Sequence, residues 1–416
     1  MSSIKITKYA GLLMGVMLLM AATVSAQDSR ALIDALIKKG ILNQDEATQI
    51  QKEMATANAE TEVSTSGNKS LKKLSFSGRF QIQYAGLSTD ISGPGVDPAD
   101  TNHFFMRRLY FGFKADMGEG WTGNFNYDFA GSTFDAAFVQ WKQSDRMVFD
   151  IGFRKVPFGL EEWYTSSGSL KAIERSPGTR YFVESNNGRR LGAGSFRMGL
   201  YLGGKRESGF FYNVALTDPE RNEDGVAGVV NQGTASTNKL ASWGNVGFNG
   251  KAKGLTYTLG ASMGYLPGQG GKVLGAGDDL TVYNAFADIT SGGFNLQLEY
   301  FGSDNPHGVS ATKNASSRAY SIQPAYKVGK IEYVVRYSYL DSDGRGVALS
   351  DGIRSAPSGG TMNNMSETYL GFSYFFRGND VKWQLGYILG ESDDTVTGGA
   401  AKAKTQGVRS QMQVNF

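Results

Sequence analysis

From residue 74 to residue 416, apolar and polar side chains alternate in one segment after another. In residues 74–84, LSFSGRFQIQY, one face carries leucine, phenylalanine, isoleucine and tyrosine, and the other carries serine, arginine and glutamine. The pattern recurs in residues 121–131, 294–301, 331–339 and 381–389 and at the end of the chain. Because successive side chains of a β-strand point to opposite faces, each segment is predicted to be a strand with one apolar and one water-facing side.

The repeats predict sixteen strands whose connections sort by length. The strands are predicted near residues 74–86, 104–116, 121–130, 134–143, 147–154, 190–202, 209–217, 241–250, 255–265, 280–290, 294–303, 317–328, 330–341, 367–377, 381–390 and 406–416. Connections after odd-numbered strands are mostly long, with residues 131–133 as the exception, and those after even-numbered strands are short. Long loops on one rim and tight turns on the other are typical of a transmembrane barrel, and an even count closes the sheet without a free edge.

A soluble β-sandwich also alternates, but two features favour a barrel in a membrane. The apolar face is rich in phenylalanine, tyrosine and tryptophan near the strand ends, where a membrane barrel has its aromatic girdles. The segments are also too numerous for one sandwich, and little other sequence is available to cover their apolar faces. The predicted fold is all-β, a 16-stranded antiparallel transmembrane β-barrel over residues 74–416 with a short N-terminal α-helical segment.

The first 73 residues have a different character. A basic start, an apolar run too short for the ~20 residues of a spanning helix, and small residues before Gln27 predict a signal peptide at 1–26. Residues 27–73 are predicted to be a periplasmic helical segment and linker, with helical spacing over residues 29–58. Three roles stay open for residues 28–58: a trimeric coiled coil, a contact with peptidoglycan or another periplasmic partner, or a simple spacer.

The composition excludes several kinds of functional site. The chain has no cysteine, which removes thiol catalysis, disulfides and thiolate metal sites. Its two histidines, His103 and His307, lie in predicted loops, and no G-x-S-x-G motif occurs, so neither a metal site, a cofactor nor an enzyme is predicted. The net charge of +3, which falls to +1 without the two lysines of the signal peptide, gives no indication of nucleic-acid binding.

The connection after the fifth strand carries the most specific motif of the chain. It spans residues 155–189, and the run VFDIGFRKVPFGLEE at 148–162 leads from the strand into it, with Gly152, Lys155 and residues 157–162 as its distinctive positions. With the run RRLYFG at 107–112, this motif resembles the phosphate-selective porin O and P family, in which a G-x-x-K-x-P-F-G-L-E-E stretch ends a strand and opens an inward-folded third loop. The resemblance implies a sixteen-stranded barrel of the bacterial outer membrane that usually forms homotrimers and whose pore is lined by arginines and lysines.

The resemblance also implies roles for particular residues. Lys155 matches the family's motif lysine at the constriction, and Arg107 and Arg108 match its arginine pair. Alternation places Arg108 on the water-facing side beside Met106 and Tyr110. The candidate pore and anion-binding residues are Lys155, Arg108, Arg107, Arg154, Arg175, Arg180 and Arg79.

Two interpretations of these cations are open. A guanidinium fork suits the geometry of phosphate and lysine adds a compact charge, so the cations could bind anions where the loop narrows the lumen. Alternatively, they pair with Asp128, Asp150 and the loop glutamates and only brace the loop against the wall.

The predicted function is a porin of the outer membrane that passes small hydrophilic solutes. Small anions such as phosphate are the predicted permeants, with the loop 155–189 as the constriction. A weakly selective general porin is one alternative, because predicted lumen cations barely outnumber the anions. A structural protein that ties the outer membrane to the cell wall through its N-terminal helices is another.

Overall fold

The computed structural model describes residues 71–93, 96–186, 189–220, 239–269, 278–349, 362–394 and 401–416. The predicted signal peptide at 1–26 and the predicted helices at 29–58 lie outside the described residues. Within the described ranges, no helix is both long enough and apolar enough to cross a membrane.

Antiparallel strands make up most of the described chain. In order they are β1 (Lys73–Ser92), β2 (Thr101–Gly118), β3 (Trp121–Asp128), β4 (Thr133–Ser144), β5 (Met147–Lys155), β6 (Phe196–Lys205), β7 (Phe210–Thr217), β8 (Ala241–Ala252), β9 (Leu255–Leu266), β10 (Leu280–Ser291), β11 (Phe294–Ser310), β12 (Lys313–Ala315), β13 (Arg318–Val328), β14 (Ile331–Asp341), β15 (Asn364–Arg377), β16 (Val381–Asp393) and β17 (Lys402–Asn415). Between β5 and β6 lie a single π-helical turn, Leu160–Tyr164, and a short helix α1, Pro177–Val183.

The strands form one sheet that closes on itself. Neighbours in the chain pair with each other, and β1 pairs with both β2 and β17. β12 adds no strand to this wall, because it pairs with the far end of β11, whereas β11 and β13 pair directly in the wall. Seventeen strands therefore give a sixteen-stranded barrel, which confirms the predicted closed antiparallel fold.

The two faces of the wall differ as the alternation predicts. In β14, Tyr333 is 54% exposed on the outside, whereas Glu332 and Arg336 at alternate positions are buried towards the lumen. On the outer face Trp121 stacks on Trp141, with 5.9 Å between their ring centroids. A closed sheet with an apolar exterior is what hydrocarbon tails require of a spanning β-structure.

The connections between strands sort onto two rims, as predicted. One rim carries tight turns, such as those between β8 and β9 and between β13 and β14, where Gly254 and Gly329 have φ values of +81° and +57°. The other rim carries the long connections, with the short turn between β3 and β4 as its exception. We call the two ends the short-turn rim and the long-loop rim, and we expect the short-turn rim to face the periplasm.

A β-bulge in β2 overturns one detail of the predicted alternation. Gln81 of β1 pairs with Arg108, but the next residue, Ile82, pairs with Met106, so Arg107 is the extra residue. A bulge shifts the alternation by one place. Met106 is therefore exposed on the outer face, and the prediction that it shares the water-facing side with Arg108 is wrong. Both arginines reach groups in the lumen.

The connection between β5 and β6 folds into the lumen. It covers residues 156–195, which we call the inner loop, and it is longer than predicted because β6 begins later in the chain. Its Phe158 and Phe182 pack against Phe301 of β11, with ring centroids 5.6 and 5.0 Å apart. Much of the buried apolar core of the barrel therefore lies between this loop and the inner face of the wall.

Candidate functional site

A buried arginine fixes the inner loop to the wall. Nη1 of Arg336 in β14 donates to Oε1 of Glu161 in the loop (3.2 Å), and its Nη2 donates to Oε1 of Glu367 in β15 (2.8 Å). Nη1 also donates to the backbone carbonyl of Glu174, 2.8 Å away. The Arg336 side chain is only 2% exposed. One wall cation therefore holds two separate stretches of the loop at a position shielded from solvent.

A carboxylate of β11 holds the π-helical turn in place. Oε1 of Glu299 accepts the backbone N–H of Leu160 (2.5 Å) and the amide of Asn284 (3.1 Å). The Thr179 hydroxyl donates to Oε2 of Glu161 at 2.8 Å and also lies 3.3 Å from Oε2 of Glu299. These hydrogen bonds fix the position of the first residues of the turn. They therefore also fix the direction in which the side chains at the end of the turn project.

Further bonds attach the middle of the loop to neighbouring strands. Nζ of Lys382 in β16 donates to the Leu170 carbonyl (3.0 Å), and Nε2 of Gln413 in β17 donates to the Gly168 carbonyl (2.9 Å). With the contacts on β11, β14 and β15, this part of the loop lies along one continuous arc of the wall. The wall residues that line the cavities described next come mainly from β1 to β8.

A cavity of ≈ 560 Å³ on the short-turn side of the loop brings together three predicted cations, Arg79, Arg154 and Lys155. We call it the lower cavity. Asp135 is the carboxylate in its lining. Arg79 donates to the hydroxyl of Ser167 at 2.6 Å, a neutral partner, so its own charge is not compensated by that contact.

The other two cations of the lower cavity have acidic partners. Arg154 forms an ion pair with Asp150 of its own strand and lies over the ring of Tyr201, 5.5 Å from the centroid. Lys155 donates to the backbone carbonyl of Glu162 (2.8 Å), and its Nζ lies 3.2 Å from Oε1 of the same residue. Lys155 therefore braces the loop and lines the cavity at once.

A second cavity, of ≈ 680 Å³, lies on the long-loop side and is called the upper cavity. Its lining holds four arginines and three carboxylates: Arg107, Arg180, Arg190 and Arg409, with Asp128, Glu174 and Glu184. Arg107 donates two hydrogen bonds to Glu174, from Nε to Oε1 at 2.6 Å and from Nη2 to Oε2 at 3.1 Å. Arg180 and Arg190 each bond one oxygen of Glu184, at 2.7 and 2.6 Å.

Arg108 and Arg175 lie between the two groups of cations. Arg108 pairs with Gln81, two positions along β1 from Arg79 and next to the bulged Arg107. Its Nη1 donates to Oε1 of Gln81 at 2.7 Å, and it lies within electrostatic range of both Arg107 and Arg175. Cations are therefore found in the upper cavity, in the lower cavity, and at Arg108 and Arg175 between them, with Arg108 only 3% exposed.

Two loop carboxylates compensate part of this positive charge. Burial opposes the ionisation of Glu162, but Arg175, whose Nε lies 2.8 Å from Oε2, and Lys155 hold the pKa of Glu162 below its usual value. Burial also opposes the ionisation of Glu174, yet Arg107 and Arg108 hold the pKa of that carboxyl well below its usual range. Both groups are therefore anions at neutral pH.

The seven predicted cations are divided between the two cavities and the region between them. Five of them form ion pairs with carboxylates: Arg107, Arg154, Lys155, Arg175 and Arg180. Of these pairs, Arg107 with Glu174 and Lys155 with Glu162 join the wall to the loop, as the bracing interpretation requires. Arg79 and Arg108 bond neutral groups, and neither forms an ion pair with a carboxylate in the part of the chain that the structure describes. Ion pairing with carboxylates is therefore observed for five of the seven candidates.

Sequence reasoning missed some residues of these cavities. Arg409 lies on the predicted water-facing side of the last strand, so alternation alone gave a signal for it. No sequence pattern indicated Arg190 as a cavity residue, because residue 190 is predicted to begin a strand. Trp163 and Tyr164 of the inner loop also line the lower cavity. The described residues hold no group of three or more metal-ligating side chains.

Comparison with known proteins identifies the class of this barrel. Residues 75–416 match the family model described as "Phosphate-selective porin O and P". A search of curated proteins gave no match. The family match covers the predicted barrel, residues 74–416, except its first residue.

Solved structures with the same architecture are outer-membrane channels. An anion-selective porin from Comamonas acidovorans is 13% identical, with a TM-score of 0.55 over 83% of this chain and 99% of that chain. The outer membrane channel DcaP of Acinetobacter baumannii is also 13% identical, with a TM-score of 0.50 over 83% of this chain and 97% of that one. At such identity the likeness concerns the fold.

Proposed function

Because this chain belongs to the phosphate-selective porin O and P family and is a porin of the bacterial outer membrane, we propose that its channel favours small anions, phosphate among them. In this proposal the inner loop sets the narrowest part of the channel. The family and the fold point to a channel rather than an enzyme. Solutes then cross by diffusion, and the side chains that line the path decide which ones cross fastest.

The series of cations between the cavities is the observation that carries this proposal. It begins at Arg180 and Arg107, continues through Arg108 and Arg175, and ends at Arg79 and its neighbours in the lower cavity. Selectivity in a pore depends on local charge along the path more than on the total charge. An anion would meet cations in the upper cavity and again in the lower cavity.

Uneven compensation strengthens the argument. Arg79 and Arg108 donate to neutral oxygens, so their charge acts on the lumen without a directly bonded carboxylate. Arg79 is the more accessible of the two and lines the lower cavity. Its planar fork of donors suits two oxygens of a phosphate. Arg79 is therefore the side chain that we expect to contact a permeating anion.

The test is the zero-current potential of the purified protein in planar bilayers under a KCl gradient. We expect a potential of the sign that anion passage gives, and a chloride current that falls when phosphate is added. Arg79→Gln should reduce both effects. The matched control is Arg318→Gln, because Arg318 is 64% exposed and pairs with Asp341 away from both cavities. A wild-type potential of zero or of the cation-selective sign would contradict the proposal.

The weakly selective porin remains the second candidate, and one observation favours it. Five of the seven candidate cations already pair with carboxylates, so their net field in the lumen is reduced. This alternative predicts a small zero-current potential and no decrease of the chloride current on addition of phosphate. The same bilayer measurement therefore separates the two functions.

Two expectations concern regions and assemblies beyond the described barrel. We also propose a homotrimer, as the family resemblance implies, and native mass spectrometry of the detergent-solubilised protein should give three times the mass of one chain. The structural alternative assigns residues 28–58 to a periplasmic or peptidoglycan contact. Deletion of residues 28–60 should then detach the outer membrane from the cell wall while conductance persists, and an unchanged envelope would count against that role.

A further inference from the structure

An aromatic group lies beside the cations of the lower cavity. Trp163 and Tyr164 end the π-helical turn, with ring centroids 6.0 Å apart. The Tyr164 ring also lies 6.0 Å from Phe211 of β7 and 5.7 Å from Phe286 of β10. Tyr164 nonetheless remains 38% exposed, so part of its ring is open to the lumen.

Glycines in the wall make room for this group. A Cβ at Gly247 would lie 2.2 Å from the Phe211 ring, and a Cβ at Gly260 would lie 2.2 Å from the Phe286 ring. Any larger residue at these places would push the rings away from the wall. The two phenylalanine rings therefore pack directly against the barrel wall, and Tyr164 packs on both of them.

The position of Tyr164 is fixed by polar bonds as well as by packing. Its hydroxyl donates to Oδ1 of Asn249 in β8 at 3.0 Å and lies 3.3 Å from the hydroxyl of Thr258 in β9. A ring held by two strands keeps its orientation while a solute passes. The inner loop therefore presents a fixed aromatic surface to the lower cavity.

The same cations and aromatic side chains line two adjoining cavities. Arg154, Lys155, Trp163 and Tyr164 line both the lower cavity and an adjoining cavity of ≈ 420 Å³. Arg79, which has no ion pair with a described carboxylate, lines the lower cavity with them. The short-turn ends of β1 and β17 also contribute to that lining, so the site lies on the predicted periplasmic side of the loop.

From this arrangement we infer that the lower cavity is a binding site for aromatic carboxylates, with the ring of the solute on Trp163 and Tyr164 and its carboxylate at Arg79. The inference deepens the proposed anion channel and rests on it, because the solute must enter as an anion. Inorganic phosphate needs the cations alone and gives no reason for an exposed aromatic surface beside them. An aromatic acid uses both parts of the site, since its ring stacks while its charge is paired.

The experiment compares two probes of the same charge and similar size. Benzoate has an aromatic ring, whereas cyclohexanecarboxylate does not. We measure the concentration of each acid that halves the chloride current of the full-length protein in planar bilayers. Benzoate should act at a concentration roughly two- to tenfold lower, the range that one aromatic stacking contact provides.

Variants assign the preference to particular rings. Trp163→Leu and, separately, Tyr164→Leu should each reduce the advantage of benzoate over cyclohexanecarboxylate. The control is Trp121→Leu on the outer face, which should keep the wild-type preference. Because the comparison of the two acids needs no variant, a substitution that prevents folding does not remove the test.

The possible failures can be told apart. Equal potency of the two acids on a channel with an anion-selective zero-current potential would overturn the aromatic site and leave the anion channel intact. A preference for benzoate that survives both loop substitutions would also overturn it, because the site would lie elsewhere. A zero-current potential without anion selectivity would instead overturn the proposed function on which the site rests.

Discussion

Replacing Arg336 by methionine should release the inner loop from the wall. The substitution keeps a long side chain and removes the charge from a position that is 2% exposed. Glu161 and Glu367 then lose the cation that lies 3.2 and 2.8 Å from their oxygens. The Glu174 carbonyl loses a donor as well. The loop would keep its contacts with Glu299, so we expect local release rather than loss of the barrel.

The magnitude follows from the burial of the ion pairs. Removing one partner of a buried ion pair typically costs about 3–5 kcal/mol, because the remaining charge is left uncompensated. Arg336→Met removes one such partner, so we expect it to lower the free energy of unfolding by about 3–5 kcal/mol. Arg318→Met serves as the control on the adjacent strand, because the pair of Arg318 with Asp341 is exposed and such pairs contribute about 1 kcal/mol or less.

Two measurements check this prediction. Urea unfolding in detergent micelles, followed by tryptophan fluorescence, gives the free energy of unfolding. Single-channel recordings in planar bilayers should show a larger and noisier conductance for Arg336→Met, because the loop no longer keeps one position. Adding Glu161→Gln and Glu367→Gln to the variant removes the uncompensated charges and should restore much of the lost stability.

Clear outcomes would refute this reasoning. If Arg336→Met unfolds at the same urea concentration as Arg318→Met and shows wild-type conductance, the buried pairs do not hold the loop. If the triple variant is no more stable than Arg336→Met, uncompensated charge is not the cause of the loss.

Other perturbations test separate parts of the structure. Because the folded-state pKa of Glu174 is depressed, the stability from its ion pair is fully present above the unfolded pKa of about 4.3 and is lost as pH falls towards the folded pKa. The difference in unfolding free energy between the wild type and Glu174→Gln should therefore be constant from pH 8 to about 5 and should shrink below about pH 4. Gly407 has φ +151°, and a Cβ there would lie 2.1 Å from a backbone carbonyl of β1. Gly407→Ala should therefore lower the midpoint of thermal unfolding in micelles. The control Gly244→Ala, which has open space around its Cβ, should leave that midpoint unchanged. Lys155→Ala should weaken the decrease of chloride current by phosphate several-fold, and Lys142→Ala, at an exposed pair on the short-turn rim, should leave it unchanged.

The wall of the barrel could be predicted because its pattern is local. Each strand needs only alternation within about ten residues, and the lengths of the connections test the count independently. The prediction failed where one residue changes the register without changing the composition. The bulge at Arg107 is such a place, because nothing in RRLYFG shows that Met106 would turn outward while both arginines turn inward.

The site was predictable only in part, because its contacts join distant parts of the chain. The motif around Lys155 located the inner loop and its cations, and alternation placed Arg79 and Arg108 in the lumen. The partner of each cation depends on how the loop folds inside the barrel. The pairing of Arg336 with Glu161, for example, joins residues 175 positions apart. The aromatic surface at Trp163 was missed for the same reason, since a loop has no period that shows which side chains face a cavity.

The pairing of β1 with β17 governs how this barrel can form. The two strands are bonded from Arg79 with Asn415 to Ser92 with Lys402, and the contacts at the first of these pairs join residues 336 positions apart. Ends so distant meet at a high entropic cost, and sheets built from distant pairings assemble slowly. Until they meet, both strands are unpaired edges that can pair with other chains. The chain therefore needs protection from aggregation until its last strand closes the ring.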